Sequence, residues 1–216
     1  MKKIKWIFFD IDNTLFDSHC LATNARKNAV KAMIKAGLKT RFGPAFKKLM
    51  QIVKKCGANY SGHFDRLVAF YGVPKEKRAR IIAAGIVEYH NTKFRLLKPF
   101  PGVKKTLKKL KRIGYKVGII TNGRAVKQWD KLIRLNVSKL FEVIVISEEA
   151  RAEKPSAKIF RIALKKAGCK PEEALMIGDR EEDMAAKKIN INAIMFKGRN
   201  FTKLFDEVKK IEKGKK

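Results

Sequence analysis

Residues 4–14 read IKWIFFDIDNT, a short apolar run that opens directly into two aspartates, an asparagine and a threonine. Ile4 to Phe9 is nearly all apolar, the pattern of a strand covered on both faces within a parallel sheet rather than the alternation of a half-exposed one. Similar runs recur at Tyr115 to Ile120, Phe141 to Ile146, Ala174 to Ile177 and Ile191 to Phe196. The gaps between the last four hold helical stretches: Arg124 to Leu135, Ser156 to Ala167 and Glu181 to Ile189. Strands alternating with helices of that length make right-handed crossovers, so the expected fold class is α/β, built on a doubly wound parallel sheet.

Between the first run and the second the alternation stops. Ala22, Ala25, Ala29, Met33 and Ala36 recur at helical spacing, followed by Phe46, Leu49, Val53 and Cys56, then Phe64, Leu67, Val68 and Tyr71, then Ile82, Ile86, Tyr89 and Lys93. Gly37, Gly43-Pro44, Gly57 and Gly72 with Pro74 punctuate them, the prolines near helix starts. The expected organisation is therefore an α/β core from residues 1–17 and 98–216, interrupted by an all-helical insert at 18–97. No internal repeat is visible. The basic end, Lys209 to Lys216, reads as a frayed helix tail.

Composition excludes several classes. The chain has 216 residues, 51 of them Lys or Arg against 20 Asp or Glu, giving a formal charge of +31, yet 45% are apolar, so it should bury a core rather than stay disordered. The opening residues reach Asp10 after only a few apolar positions, and no apolar run approaches the eighteen or so residues of a membrane span, so neither a span nor a signal peptide is expected. Cys20, Cys56 and Cys169 are far apart with no CxxC pair, which speaks against a disulfide framework or zinc site and for a reducing cytoplasm. Each is expected to be a small packing residue. The excess charge fits a nucleic-acid partner, an anionic small substrate or a lysine-coated surface, and composition does not choose among them.

In open parallel sheets functional groups lie beyond the carboxyl ends of the strands. Four such loops carry suitable residues: Asp10-Ile11-Asp12-Asn13-Thr14, Thr121-Asn122-Gly123, Glu153-Lys154-Pro155, and Gly178-Asp179-Arg180-Glu181-Glu182-Asp183. Each has an ordinary reading, since Asp pairs make turns, Thr and Asn cap helices, and lysines abound here. Together they are harder to dismiss. Only eight aspartates occur in the chain, and four of them fall in the first and last of these loops. Carboxylates gathered at one end of a sheet repel unless a cation sits among them. An all-oxygen set with no His/Cys spacing points to Mg²⁺ rather than zinc.

In order and spacing, DIDNT at 10–14, TNG at 121–123, EKP at 153–155 and GDREED at 178–183 resemble the four motifs of the haloacid dehalogenase-like hydrolases. The helical insert resembles the cap of the subfamily that includes phosphoglycolate phosphatase-like enzymes. The resemblance implies a Mg²⁺-dependent phosphatase acting on a small phosphorylated metabolite. In it Asp10 is the nucleophile that becomes an aspartyl-phosphate, and Asp12 is the general acid and then base. Thr121 and the amide of Asn122 bind the phosphoryl group, and Lys154 offsets its charge. Asp10, the carbonyl of Asp12, and Asp179 hold the metal, with Asp183 or Glu182 in support. Elementary chemistry agrees, because a carboxylate attacking a phosphate dianion needs positive charge at the site. A halide leaving group needs no proton, so the presence of Asp12 favours phosphatase over dehalogenase. Arg151-Ala152 stands where relatives often have a glycine.

The remaining candidates have plain readings. His19, His63 and His90, with Asn24, Arg26, Asn59 and Tyr60, fall at or within the insert and could reach a substrate, but packing or surface roles are commoner. Trp6 reads as core and Trp129 as a helix packing residue. Two stretches lack acids, Ser18 to Phe64 and Tyr89 to Trp129, holding ten and twelve Lys or Arg respectively. On Val103 to Ile113 the basic residues sit between Val103, Leu107, Leu110 and Ile113, as on a solvated helix face. This imbalance keeps a nucleic-acid-associated role as the alternative, although no nucleic-acid motif is present and aromatics do not interleave with the bases. The sequence leaves monomer or homodimer open.

Overall fold

The computed structural model describes residues 3–197 and 200–212. Five strands form one sheet: β1 (Trp6–Phe9), β2 (Lys116–Thr121), β3 (Val143–Ile146), β4 (Ala174–Gly178) and β5 (Asn192–Met195). All neighbours pair in parallel, in the order β3-β2-β1-β4-β5. The α/β class with a parallel sheet is as expected. The register sets Phe9 beside Ile119 and Ile177, so the chain leaves β1 at Asp10 between the ends of β2 and β4. That is the point where the strand order reverses, and there the connections diverge and leave a crevice.

The chain divides into two compact units, Met1–Ser18 with Leu97–Lys216, and His19–Leu96. In the first, β1 and β4 are buried throughout and β2 at all but Lys116, as their near-continuous hydrophobicity requires, whereas β5 at the sheet edge is only half-buried. Trp6 and Phe8 stack at 5.6 Å and pack with Ile159, Phe160 and Ala163 of α8 (Ala157–Ala167). Phe9 lies 5.9 Å from Phe201 and 6.3 Å edge-on from Phe141, with α5 (Val103–Arg112) packed on β2 and α10 (Leu204–Glu212) packed on α5. On α5 the buried positions are Val103, Thr106, Leu107 and Leu110, and Lys105, Lys108, Lys109 and Arg112 face solvent. The end of β1 is thus wedged by aromatics one residue before Asp10. Burying one such ring contributes about 1.5–3 kcal/mol, whereas stripping water from one ion costs several. The strand ends therefore hold the charged loop where it would not settle alone.

The second unit is helical, with its own core: α1 (Ser18–Lys35), which begins at its boundary, α2 (Phe42–Cys56), α3 (His63–Phe70) and α4 (Lys75–Leu96). Met33, Leu49, Phe64, Leu67 and Ile81 are among its buried residues. Gly85 lies so close to Met33 that an added Cβ would sit 2.8 Å from Met33 Cγ, so the two helices meet across a missing side chain.

Some expectations change. Glu181 to Ile189 is not one helix but α9 (Glu181–Met184) followed by a 3-10 turn at Ala185–Ile189, whose Ala185 and Ala186 are buried. A helix over Leu204–Glu212, with Leu204 and Val208 buried, begins ahead of the tail expected from the sequence, and residues 213–216 of that tail lie outside the described residues. Cys56 and Cys169 are partly buried, but Cys20 is exposed on the first turns of α1 and is not a packing residue. Trp6 is core, and Trp129 is half-buried with Nε1 donating to Glu149 at 3.3 Å. Among the described residues no helix is long and apolar enough to cross a membrane.

Candidate active site

Four strand-end loops of the α/β unit meet at the crevice. Asp10 follows β1, its amide donating to Ile177 O at 2.9 Å, which pins the loop against β4. Lys154 arrives from the stretch between α7 (Ser147–Ala150) and α8. Its Nζ donates to Asp10 Oδ1 at 2.8 Å and to Asp183 Oδ1 at 2.5 Å, and all three side chains are almost wholly buried. Asp183 Oδ2 in turn accepts from the Arg180 amide at 3.1 Å. Asp183, not Glu182, therefore faces the crevice, and Glu182 turns toward Arg180 at 3.6 Å. Gly178 makes room for this: a Cβ there would stand 2.2 Å from Asp183 Cγ.

Oxygens of Asp10, Asp179 and Asp183 lie within 4.8 Å of one another. One ammonium among three carboxylates leaves the cluster short of positive charge. Burial pushes the Asp10 carboxyl up, Lys154 pulls against it, and Asp183 and Asp12 add to the rise. Asp179 is likewise raised, by burial and then by Asp10, with Arg180 and Asn13 opposing. Burial alone would lower the Lys154 ammonium, but Asp10 and Asp183 outweigh it and hold the proton on. Asp179 Oδ1 is buried and accepts no hydrogen bond from a described residue. A buried acceptor without a donor costs about 1–3 kcal/mol, and a hard cation would satisfy it. The donor set is all oxygen and fits Mg²⁺.

Thr121 closes β2, buried, and Asn122 follows. The helix-capping reading of this pair does not hold. At the start of α6 (Ala125–Arg134) the Gly123 amide donates to Ser147 Oγ at 2.9 Å and the Ala125 amide to Glu148 Oε2 at 2.8 Å, so α7 supplies the capping groups. The Asn122 side chain instead makes a two-way amide pair with Lys154, donating to its carbonyl at 2.9 Å and accepting from its amide at 2.8 Å. Asn122 thus fixes the backbone that presents the lysine. In the Arg151-Ala152 pair, Arg151 holds the left-handed conformation at φ 46°, which a glycine adopts at no steric cost.

Asp12 stands apart from the three-carboxylate cluster. Both its oxygens accept from Lys131 of α6, at 2.8 and 2.6 Å. Beside it, buried Gln128 contacts Thr121 Oγ1 at 2.8 Å and Lys131 at 2.6 Å. Neither Gln128 nor Lys131 stands out in the sequence. A signal does exist, because Gln128 is a polar residue four positions before Leu132 on the buried stripe of α6. Three of the candidates of the helical unit are engaged locally. Asn24 donates to Cys20 O at 3.0 Å, His63 Nε2 lies 2.9 Å from Gly57 O, and the Tyr60 hydroxyl accepts from Arg66 at 3.1 Å.

A parallel sheet with the reversed order found here, and an Asp-x-Asp loop facing a lysine and two further aspartates, define a class of hydrolase. The family model for haloacid dehalogenase-like hydrolases matches residues 7–196. The chain belongs to this family. A glyceraldehyde 3-phosphate phosphatase from Pyrococcus furiosus is 43% identical over 97% of this chain and 87% of its own length. Another of that name, from Methanopyrus kandleri, is 48% identical over 82% of this chain and 76% of its own. Among solved structures, a HAD phosphatase from Thermococcus onnurineus superposes with a TM-score of 0.66 at 20% identity, covering 95% of this chain and 98% of that one. A Bacillus subtilis protein, YfnB, solved bound to magnesium, matches with a TM-score of 0.66 at 16% identity over 96% and 99%. At those identities the two structures speak for the fold. With relatives this similar named phosphatases, the chain is a phosphoric monoester hydrolase rather than a dehalogenase.

Proposed function

We propose that this protein hydrolyses the phosphate ester of a small metabolite, with Mg²⁺, through an aspartyl-phosphate on Asp10, and that glyceraldehyde 3-phosphate is the first substrate to test. The observation that carries the reading is buried Lys154 held between Asp10 and Asp183 beside an Asp179 oxygen that has no donor among the described residues. The substrate choice rests on the name borne by the relatives.

The residues divide the work as their positions suggest. An Asp10 oxygen attacks phosphorus, and the bond to the substrate's bridging oxygen breaks as that oxygen takes a proton from Asp12. Water then attacks the phosphorus of the aspartyl-phosphate, gives its proton to Asp12, and releases inorganic phosphate and the Asp10 carboxylate. Lys154 carries positive charge to a nucleophile that must approach a dianion, and Asp183 and Asn122 hold it there. The Thr121 hydroxyl and the Asn122 amide cradle the transferring group. Asp10, Asp179 and the Asp12 carbonyl would hold Mg²⁺, supported by Asp183, and the ion would supply charge neutralisation at the phosphoryl oxygens. The helical unit serves as the cap of this subfamily.

Release of phosphate from glyceraldehyde 3-phosphate with Mg²⁺ tests the reading. Asp10→Asn and Asp12→Asn should each lower kcat at least about a hundredfold. Turnover at the unmodified rate in Asp10→Asn would remove the covalent mechanism.

A further inference from the structure

Gln128 and Lys131 lie one helical turn apart on α6 and join two parts of the site. The Lys131 ammonium has three donors and no acceptor, and it spends them on Asp12 Oδ1 at 2.8 Å, Asp12 Oδ2 at 2.6 Å and Gln128 Oε1 at 2.6 Å. Because lysine can only donate, this last contact fixes which end of the Gln128 amide is oxygen. Its NH₂ end is then forced toward Asn122 O and Thr121 Oγ1, both at 2.8 Å, with a longer approach of 3.4 Å to Asp12 Oδ2. Two of these oxygens, the Asn122 carbonyl and the Asp12 carboxylate, can only accept, which fixes the same polarity independently.

Thr121 Oγ1 therefore accepts from Gln128, and its own proton is left to donate elsewhere. Thr121 is buried at the end of β2, where the crevice opens. A hydroxyl already accepting from an amide is preset as a donor to an anion and need not reorient when one arrives. At the other end of the chain of contacts, Asp12 has both oxygens held, so it acts on a leaving group only after one is released and carries the proton to be given. When that happens Lys131 keeps its place through Gln128 Oε1.

We propose that Gln128 and Lys131 are positioning residues, a hydrogen-bond relay of fixed polarity that aims the Thr121 proton at the transferring phosphoryl group and orients Asp12 for the leaving oxygen. The proposal rests on the phosphatase reading and adds to it two residues outside the four motifs.

Two variants separate its halves. Gln128→Glu keeps the shape but has no donor, so Thr121 would give its proton to the new carboxylate. Binding of inorganic phosphate to the Mg²⁺-loaded enzyme, followed by calorimetry, should weaken about tenfold to a hundredfold, with a matching rise in KM. Lys131→Met keeps the apolar stem and loses the ammonium. Its kcat should fall about tenfold or more on an alkyl ester such as glyceraldehyde 3-phosphate, whose leaving oxygen needs the Asp12 proton, and by less than about threefold on p-nitrophenyl phosphate, which does not. Lys131→Arg should restore most of the alkyl-ester rate. Equal phosphate affinity in Gln128→Glu and wild type overturns the first half, and an equal loss on both esters in Lys131→Met overturns the second. Either result leaves the phosphatase reading standing, provided that wild type turns over and Asp10→Asn does not. A wild type that hydrolyses no phosphate ester defeats that reading, and the relay with it.

Discussion

Asp179 makes the plainest statement about a cation, because one of its oxygens is buried without a donor among the described residues while its neighbours Asp10 and Asp183 share a lysine. A ligand that binds only the folded state stabilises it by about 2.7 kcal/mol at a hundred times its dissociation constant. Saturating Mg²⁺ should therefore raise the thermal midpoint by several degrees. Asp179→Asn, which removes charge but little volume, should abolish that rise while leaving the metal-free midpoint unchanged or higher, since a neutral amide relieves the repulsion felt by Asp10. The shift in wild type should also shrink as pH falls, because the Asp10 and Asp179 carboxyls are both raised and a protonated carboxyl is a poor ligand. A Mg²⁺ response that survives in Asp179→Asn would place the ion elsewhere. At this scale the sequence is most legible where residues are scarce. Four of eight aspartates fall in two loops, and that clustering alone marks the site. Gln128 and Lys131 are hidden for other reasons, the lysine as one more base in a chain crowded with them and Gln128 as one of two glutamines that no motif marks. The Asn122–Lys154 amide pair spans 32 residues and has no local trace in either segment.

Among the elements, the meeting of β4 with α9 sets the tightest steric condition. A Cβ on Gly178 would fall 2.2 Å from Asp183 Cγ and Oδ2, far inside van der Waals contact, and it is this carboxylate that receives Lys154 and the Arg180 amide. Asp183 cannot step aside without releasing Lys154, so Gly178→Ala should cut kcat at least about thirtyfold and lower the midpoint, with the sheet retained by circular dichroism. Wild-type kcat in that variant would mean that Asp183 is dispensable to the lysine. Strand positions are readable to within two residues at each end, since each strand coincides with a short apolar run, even at β5, which is only half-buried. Strand order is not readable, because β4 joins β1 rather than β3 through contacts about 170 residues apart in sequence that no periodicity encodes. The split of Glu181 to Ile189 likewise leaves no trace in the periodicity, because Ala185 and Ala186, buried where α9 gives way to the 3-10 turn, are good helix formers.

Over the whole molecule the formal charge of +31 is an energetic load as well as an attraction. The site uses few of these cations directly, namely Lys154 on Asp10 and Asp183, and Lys131 on Asp12. Much of the remainder coats surfaces such as the outer face of α5, where Lys105, Lys108, Lys109 and Arg112 crowd within three turns. Like charges are closer together in the folded chain than in the unfolded one, so their repulsion opposes folding, and salt relieves it as the screening length falls from about 10 Å at 0.1 M to about 3 Å at 1 M. The same field draws a phosphate ester inward, and salt weakens that as well. Raising KCl from about 20 mM to about 500 mM should therefore raise the thermal midpoint while lowering kcat/KM for an anionic substrate, with kcat itself nearly constant because the buried Asp10–Lys154–Asp183 contacts are shielded from the solvent ions. The opposed signs are the discriminating feature. A specific chloride effect on the site would move kcat, and general salting-out would raise stability without lowering kcat/KM. If the midpoint fails to rise, the surface lysines are too far apart or too well solvated to repel; if kcat/KM is indifferent to salt, the excess charge does not steer the substrate and the site captures phosphate with its own few cations alone.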